Sequence, residues 1–282
     1  MSSCMRALIA AALMQLALAA PALAQTAPAA RAALPERVRS AGVLRIATSL
    51  QWPPFAYVSE AGQPDGIDIR LMKLIADKLG LRLDVENVKF PSIVPGVASG
   101  RFDVGVDQLN ITAERAKVVD FVPYSQDGLG LLVRKGTAGI DVGSLCGRTL
   151  LLTQGSAQVD IADKLSAQCV GAGHEPIASQ TYANSADTYL ALANGRGDGF
   201  LAGKAVGMYI ASQNGKLTMT GATLPDSNTV SGIVVAKDDP AVRDAVRLAL
   251  ESALADGSYQ KIFDDYKVPE GALTAEQIRQ PS

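Results

Sequence analysis

The chain reads as an α/β protein of two similar halves, and three observations predict it. From Val43 to Val106 apolar runs of strand and helix period alternate as strand, helix, strand, helix, strand. That order implies a parallel sheet with covering helices. The same alternation resumes at Arg148 and continues through Ala178 and Asp187–Asn194 to Gly199-Phe200-Leu201. At 282 residues the chain is long enough for two medium domains with real cores. The order of elements suggests that the chain crosses between the halves more than once.

The first residues read as a secretory signal peptide. Arg6 precedes an apolar run, Ala7 to Ala20, and Pro21-Ala22-Leu23-Ala24 offers small residues for cleavage after Ala24. Those 14 residues are short for a membrane span, which needs about 20. No second apolar segment of that length follows, and no cysteine sits behind the cleavage site to carry a lipid. The expected product is soluble and exported. Residues 25–41, rich in Ala and Pro at first, read as a flexible lead.

Val43 to Thr48 is the first strand, and it runs into Leu50-Gln51-Trp52-Pro53-Pro54-Phe55, where two prolines stop pairing and stiffen the loop. Ile67, Leu71, Leu74, Ile75 and Leu79 form one helical stripe that ends at Gly80, a residue suited to a left-handed cap. Leu81 to Val88 alternates as a strand, and a short helix from Phe90-Pro91-Ser92 ends near Gly100. After Phe121-Val122-Pro123-Tyr124 comes an apolar strand, Gly128 to Val133. In the second half, strand Arg148–Thr153 leads through Gln154-Gly155 into a helix from Ser156 to Gln168. Ser231 to Ala236 is a late strand. A helix from Ala241 to Ala255 is expected to bury Val242, Ala245, Val246, Ala249, Leu250, Ala253 and Leu254 on one stripe, and a short one spans Ser258 to Tyr266.

Charge is nearly balanced, 26 Lys and Arg against 28 Asp and Glu, and basic residues are scattered, so no nucleic-acid or membrane-surface footprint is present. Cys4 leaves with the signal peptide. Cys146 and Cys169 remain, an even pair in an oxidising compartment, expected at the N-terminal ends of neighbouring parallel strands, where a disulfide is geometrically reasonable. Two cysteines and the single histidine, His174, do not make a four-ligand zinc site, and no metal or cofactor is expected. His174 lies in a Gly-rich turn without partners for a catalytic triad, so no catalytic residue is assigned.

The chain is organised around Asp103 to Arg115, DVGVDQLNITAER. A short strand enters a polar loop, and Thr112 reads as the N-cap of a helix AERAKVV. A helix start presents unpaired N–H groups and positive dipole to an anion, and Arg115 adds a planar two-pronged donor suited to a carboxylate. Ligands of parallel sheets bind at the C-terminal strand edge, where Trp52, Phe90 and this loop would converge.

In order and spacing, LRIATSLQWPPFAYV, GIDIRLMKLIADKLG, SGRFDVGVDQLNITAERAKVVDFVPY, LLVRKG, LTQGSA, ANGRGDGFL and ADGSYQKIFDDY resemble the family 3 extracellular solute-binding proteins of bacterial ABC importers, the group that includes polar amino-acid binders. The resemblance covers about Val43 to Tyr266. It implies the type II periplasmic binding fold: two lobes, parallel-rich sheets flanked by helices, and two hinge crossings, near Gln126–Gly130 and Thr229–Gly232. Lobe 1 would take residues 42–128 plus 230–270, lobe 2 residues 129–229, and residues 271–282 would be a C-terminal tail. It implies that Trp52 and Phe90 sandwich the ligand's side chain. Asp107, Gln108, Asn110 and Thr112 would supply hydrogen bonds, and Arg115 would grip the α-carboxylate. From lobe 2 the turn Gln154-Gly155-Ser156-Ala157 would add donors. It further implies a periplasmic, monomeric protein that hands an amino acid or related carboxylate to an inner-membrane permease.

Three positions depart from the family pattern. Gly203, followed by Lys204, stands where an aspartate usually holds the α-ammonium; Ala157 replaces a hydroxyl; Asp107 replaces a small residue or serine. Either Asp107 supplies the missing carboxylate, or Lys204 reaches the cleft and selects a more acidic ligand. Two other functional readings stand beside transport. One is an enzyme on the same scaffold, resembling periplasmic cyclohexadienyl dehydratase, with Asp107 as an acid or base. The other is a sensing subunit for a membrane receptor.

Overall fold

The computed structural model describes residues 26–279, so the signal peptide expected over 1–24, with Cys4, and the last three residues of the tail lie outside it. Among the described residues no helix is long and apolar enough to cross a membrane.

Among the described residues thirteen strands form three sheets. They are β1 (Val43–Thr48), β2 (Gln51–Trp52), β3 (Ala56–Val58), β4 (Pro64–Asp65), β5 (Arg82–Asn87), β6 (Val104–Gly105), β7 (Val119–Asp127), β8 (Leu129–Arg134), β9 (Thr149–Thr153), β10 (Ala178–Tyr182), β11 (Gly199–Gly203), β12 (Leu217–Thr223) and β13 (Thr229–Ala236). The first five-stranded sheet has the order β5-β1-β6-β13-β7 and the second β10-β9-β11-β8-β12. In the first, β1 pairs parallel with β5 and β6, while β13 runs antiparallel to β6 and β7. In the second, β9 pairs parallel with β10 and β11, and β8 runs antiparallel to β11 and β12.

The two sheets are joined where strands change partner. β7 ends at Asp127 in the first sheet and β8 begins at Leu129 in the second, with Gly128 alone between them. β12 ends at Thr223 and the chain returns through 224–228 to β13, whose Thr229 pairs with Asp127. Both passages thus lie side by side.

The helical stripe read from Ile67 to Leu79 is a helix with those bounds, ended by Gly80 at φ 65°, a left-handed conformation that glycine adopts without a Cβ clash. Ile67, Leu71, Ile75 and Leu79 are all buried on its core face. The helix Pro240–Ala255 packs its Val242–Ala253 stripe against the first sheet. Pro53-Pro54 sits in the turn between β2 and β3, and the chain resumes pairing after it.

Four expectations need correction. Residues 25–41 are not a flexible lead: Pro28–Ala33 and Glu36–Ala41 are helices, and Ala30, Leu34 and Val38 are buried in the first lobe's core. Their apolar spacing is short and interrupted by Pro35, which hides the period. The region after 271 is no loose tail either, since Leu273 and Ile278 are buried and Ala275–Arg279 is helical. The helix begun at Thr112 stops at Ala116 rather than running on through AERAKVV, because Val119 is drawn into β7 against Ala236 of β13. Cys169 lies in the last turn of the helix Ala157–Gly171 rather than at a strand start.

Cys146 and Cys169 are joined, with Cα atoms 5.5 Å apart and a sequence separation of 23. Closing a loop of that length in the unfolded chain is worth about 3 kcal/mol. Reduction is therefore expected to lower the thermal unfolding midpoint of the protein, measured with and without a thiol reductant. An unchanged midpoint would show that the bond adds nothing.

Candidate functional site

The loop after β6 brings its polar groups to the space between the sheets. Gln108 has φ 47°, unusual for a residue with a side chain, and its N–H donates to Asp68 Oδ2 at 2.9 Å. Asp68 is fully buried, and its other oxygen accepts from Tyr124 Oη at 2.6 Å. This anchoring turns the Gln108 side chain outward while Asp107 points into the protein.

Thr112 caps the next short helix, its Oγ1 accepting from the Arg115 N–H at 3.3 Å. Arg115 therefore projects across the gap. Its Nη1 donates to Asn110 O at 2.7 Å and its Nη2 to Gly155 O, in the turn after β9, at 2.9 Å. The guanidinium carbon lies 5.8 Å from the centre of the Phe90 ring. Burial pulls its pKa below the usual arginine value, partly offset by Asp160, and marks a charge held in a poorly hydrated setting.

Trp52 and Phe90 form the opposite wall, edge to face at 5.5 Å between ring centres. Trp52, Phe90, Gln108, Asn110, Arg115, Ser156, Ala157 and Gln158 together enclose a cavity of about 10 Å³, room for one water. Within it Trp52 Nε1 and Ser156 Oγ are buried without a hydrogen-bond partner among the described residues. Unpaired buried polar atoms are costly and rare, so a pair of them on one cavity beside a guanidinium marks a place for a polar ligand. An amino acid needs far more room, so its entry requires the two walls to separate.

Seven of the residues read from the sequence thus meet on one cavity; four do not. Gln154 is exposed and Thr112 serves as the helix cap. Gly203 is buried behind Gln108. Asp107, expected to face the cleft, is 1% exposed, and Thr48 Oγ1 at 3.1 Å, the Ser49 N–H at 3.1 Å and Ser49 Oγ all donate to its carboxylate. It ties the loop to the end of β1 and does not stand where a ligand cation or a reacting substrate would touch it. Burial, reinforced by the charge of Asp68, pushes its pKa up to about 7. Gln158 was missed, although its place in the first turn after Ser156-Ala157 is the signal that would have found it.

Two α/β lobes that meet over an arginine and two aromatic rings, joined by two adjacent hinge passages, define a type II ligand-binding protein. Residues 44–269 match the bacterial extracellular solute-binding proteins, family 3, and the chain belongs to that family. Arginine-binding protein ArgT of Corynebacterium glutamicum is 26% identical over 249 residues, covering 87% of this chain and 81% of its own. The solved structure of an ancestral arginine-binding protein bound to arginine is 31% identical, with a TM-score of 0.72 over 80% of this chain and 98% of that one. Cyclohexadienyl dehydratase of Pseudomonas aeruginosa is 34% identical over only 94 residues, 33% of this chain and 35% of its own. The match to the enzyme covers that third of the chain, whereas the matches to binding proteins run through both lobes. The protein is a solute-binding protein and not an enzyme.

Proposed function

We propose that this protein is the periplasmic binding component of an ABC importer and that it captures an α-amino acid between its lobes. On this reading lobe 1 comprises residues 42–128 plus 230–270 and lobe 2 residues 129–229. The signal peptide is removed after Ala24, and the mature monomer delivers its cargo to an inner-membrane permease. What carries the reading is the small cavity on which the Arg115 guanidinium, Trp52 Nε1 and Ser156 Oγ converge, the last two without partners. Arg115 would exchange Gly155 O for the ligand carboxylate, a charge-assisted pair that a planar fork binds well. Ser156 and the free N–H groups at the start of the helix Ala157–Gly171 add donors from the second lobe. Trp52 and Phe90 would part to flank the ligand's side chain. Relatives named for arginine binding agree with a ligand that carries a carboxylate and an ammonium.

The test is a thermal-shift panel of the common L-amino acids, polyamines, opines and organic acids. A cognate amino acid at a hundredfold excess over Kd is expected to add about 2.7 kcal/mol, or roughly 5–10 °C in the unfolding midpoint. A panel in which amino acids leave the midpoint unmoved while another class raises it would refute the proposal.

A further inference from the structure

The cleft lacks an obvious acid for a ligand ammonium, since Gly203 has no side chain and Asp107 is turned inward. The space beside Gly203 is nevertheless taken. A Cβ built on Gly203 would lie 2.7 Å from Asp127 Oδ2 and 3.6 Å from Gln108 Nε2. A Cβ at that distance would push the carboxylate from its present place, so glycine at 203 leaves room for Asp127 to sit there. Asp127 ends β7, next to Gly128, and its backbone position is set by pairing with Thr229 of β13. The carboxylate therefore lies at the hinge, in the gap that Gly203 leaves in the second lobe and beside the Gln108 amide, and Gln108 lines the small cavity.

Four neighbours define the state of that carboxylate, the Gly128 N–H being one that donates to it. Oδ2 accepts from the Ala205 N–H at 3.1 Å, at the start of the helix Lys204–Gln213. The side-chain amide of Gln108, which lines the small cavity, donates to it. Lys204 is near enough to act on it electrostatically, yet among the described residues no cation forms an ion pair with it. On its other side Asp127 lines a second cavity of about 340 Å³ at the hinge, with Lys204, Met208 and Asn228. Burial pushes the carboxyl up to about 6, as expected for an acid short of a cationic partner.

We propose that Asp127 is the specificity-determining acid of this cleft, receiving the ligand's ammonium in place of the Gln108 amide and so taking from the hinge strand the role that position 203 leaves vacant. The inference rests on the amino-acid reading of the cleft. It makes the protein selective for ligands that carry both a carboxylate and an amine, and it accounts for Gly203 as a packing requirement. The charge also lies on the segment that joins the lobes, so ammonium binding draws the Gln108 loop of the first lobe and the helix Lys204–Gln213 of the second onto one carboxylate.

A purely structural role is the competing account, because Asp127 also caps that helix. Asp127→Asn separates the two, since asparagine accepts from the Ala205 N–H about as well as aspartate but carries no charge. The probes are the L-amino acid with the largest thermal shift and the 2-hydroxy acid of the same side chain, titrated calorimetrically into wild type and variant. Asp127→Ser serves in the same way if the asparagine variant fails to fold. The expected result is a loss of tenfold or more for the amino acid and less than threefold for the hydroxy acid. Equal losses for both, or no loss for either, overturn the assignment while leaving the amino-acid reading intact. If no L-amino acid binds the wild type, that reading fails and this one with it.

Discussion

Arg115→Ala is expected to weaken binding of the cognate ligand by about 30-fold to several thousand-fold, the range of roughly 2–5 kcal/mol found when one member of a buried charge pair is truncated. The size follows from the setting. The guanidinium is held in a poorly hydrated position by Asn110 O and the Phe90 face, so little reorganisation accompanies its meeting with a carboxylate. Its Nη2 already spans the two lobes to Gly155 O, so the same substitution removes a closing contact. Arg115→Lys keeps the charge but loses the fork, and should fall between wild type and alanine. Titration calorimetry reads both; affinity unchanged in Arg115→Ala would remove Arg115 from the site.

The second large effect concerns pH. Asp68 and Asp107 are both fully buried, and burial raises each to about 7, opposed by donors from Tyr124 and Gln108 on one and from Ser49 and Thr48 on the other. Their mutual repulsion adds to the rise at Asp107. Among the described residues no side-chain cation contacts either carboxylate; the groups that meet them are hydroxyls and backbone N–H groups. In the unfolded chain both titrate near 4, so between about pH 4 and pH 7 the folded state holds more protons than the unfolded one. Stability from this pair is therefore fully present near pH 4 and is lost as pH rises through 7. The opposite class, Asp65, Asp103 and Asp256, is held below the usual range by Arg70, by Arg45 and Arg37, and by Lys78, and loses its contribution only as pH falls below about 4. Stability should therefore rise from pH 8 to a maximum near pH 5, by an amount on the order of several kcal/mol for the coupled pair, and the unfolding midpoint should rise with it. Asp68→Asn and Asp107→Asn, neutral at every pH, should flatten that slope. A midpoint equal at pH 5 and pH 8 would contradict the account.

The same two carboxylates show where sequence reasoning stops. Asp107 and Gln108 are adjacent, and the polar run Asp107-Gln108-Leu109-Asn110 looks equally available to a ligand when read as sequence. The φ of 47° at Gln108, imposed by Asp68 from a helix far earlier in the chain, sends one side chain into the core and the next into the cleft. Asp127 was invisible for the converse reason: it reads as the polar end of a strand, and only the pairing of β7 with β13 and the approach of β11 set it beside Gly203.

By itself the sequence determined the α/β class, the helix Ile67–Leu79, the Thr112 cap, and the meeting of Trp52, Phe90 and Arg115 on one strand edge. Each follows from periodicity, cap chemistry or the rule for parallel sheets, and all but the last need only residues a few positions apart. The tertiary structure decided that residues 28–33 and 36–41 are helical and docked, that Asp107 is an internal tie, and that Asp127 lies beside Gly203 at the hinge. Those outcomes depend on contacts between distant segments, where burial and pairing override local pattern, and the choice between two carboxylates turns on which of them the packing leaves beside the ligand.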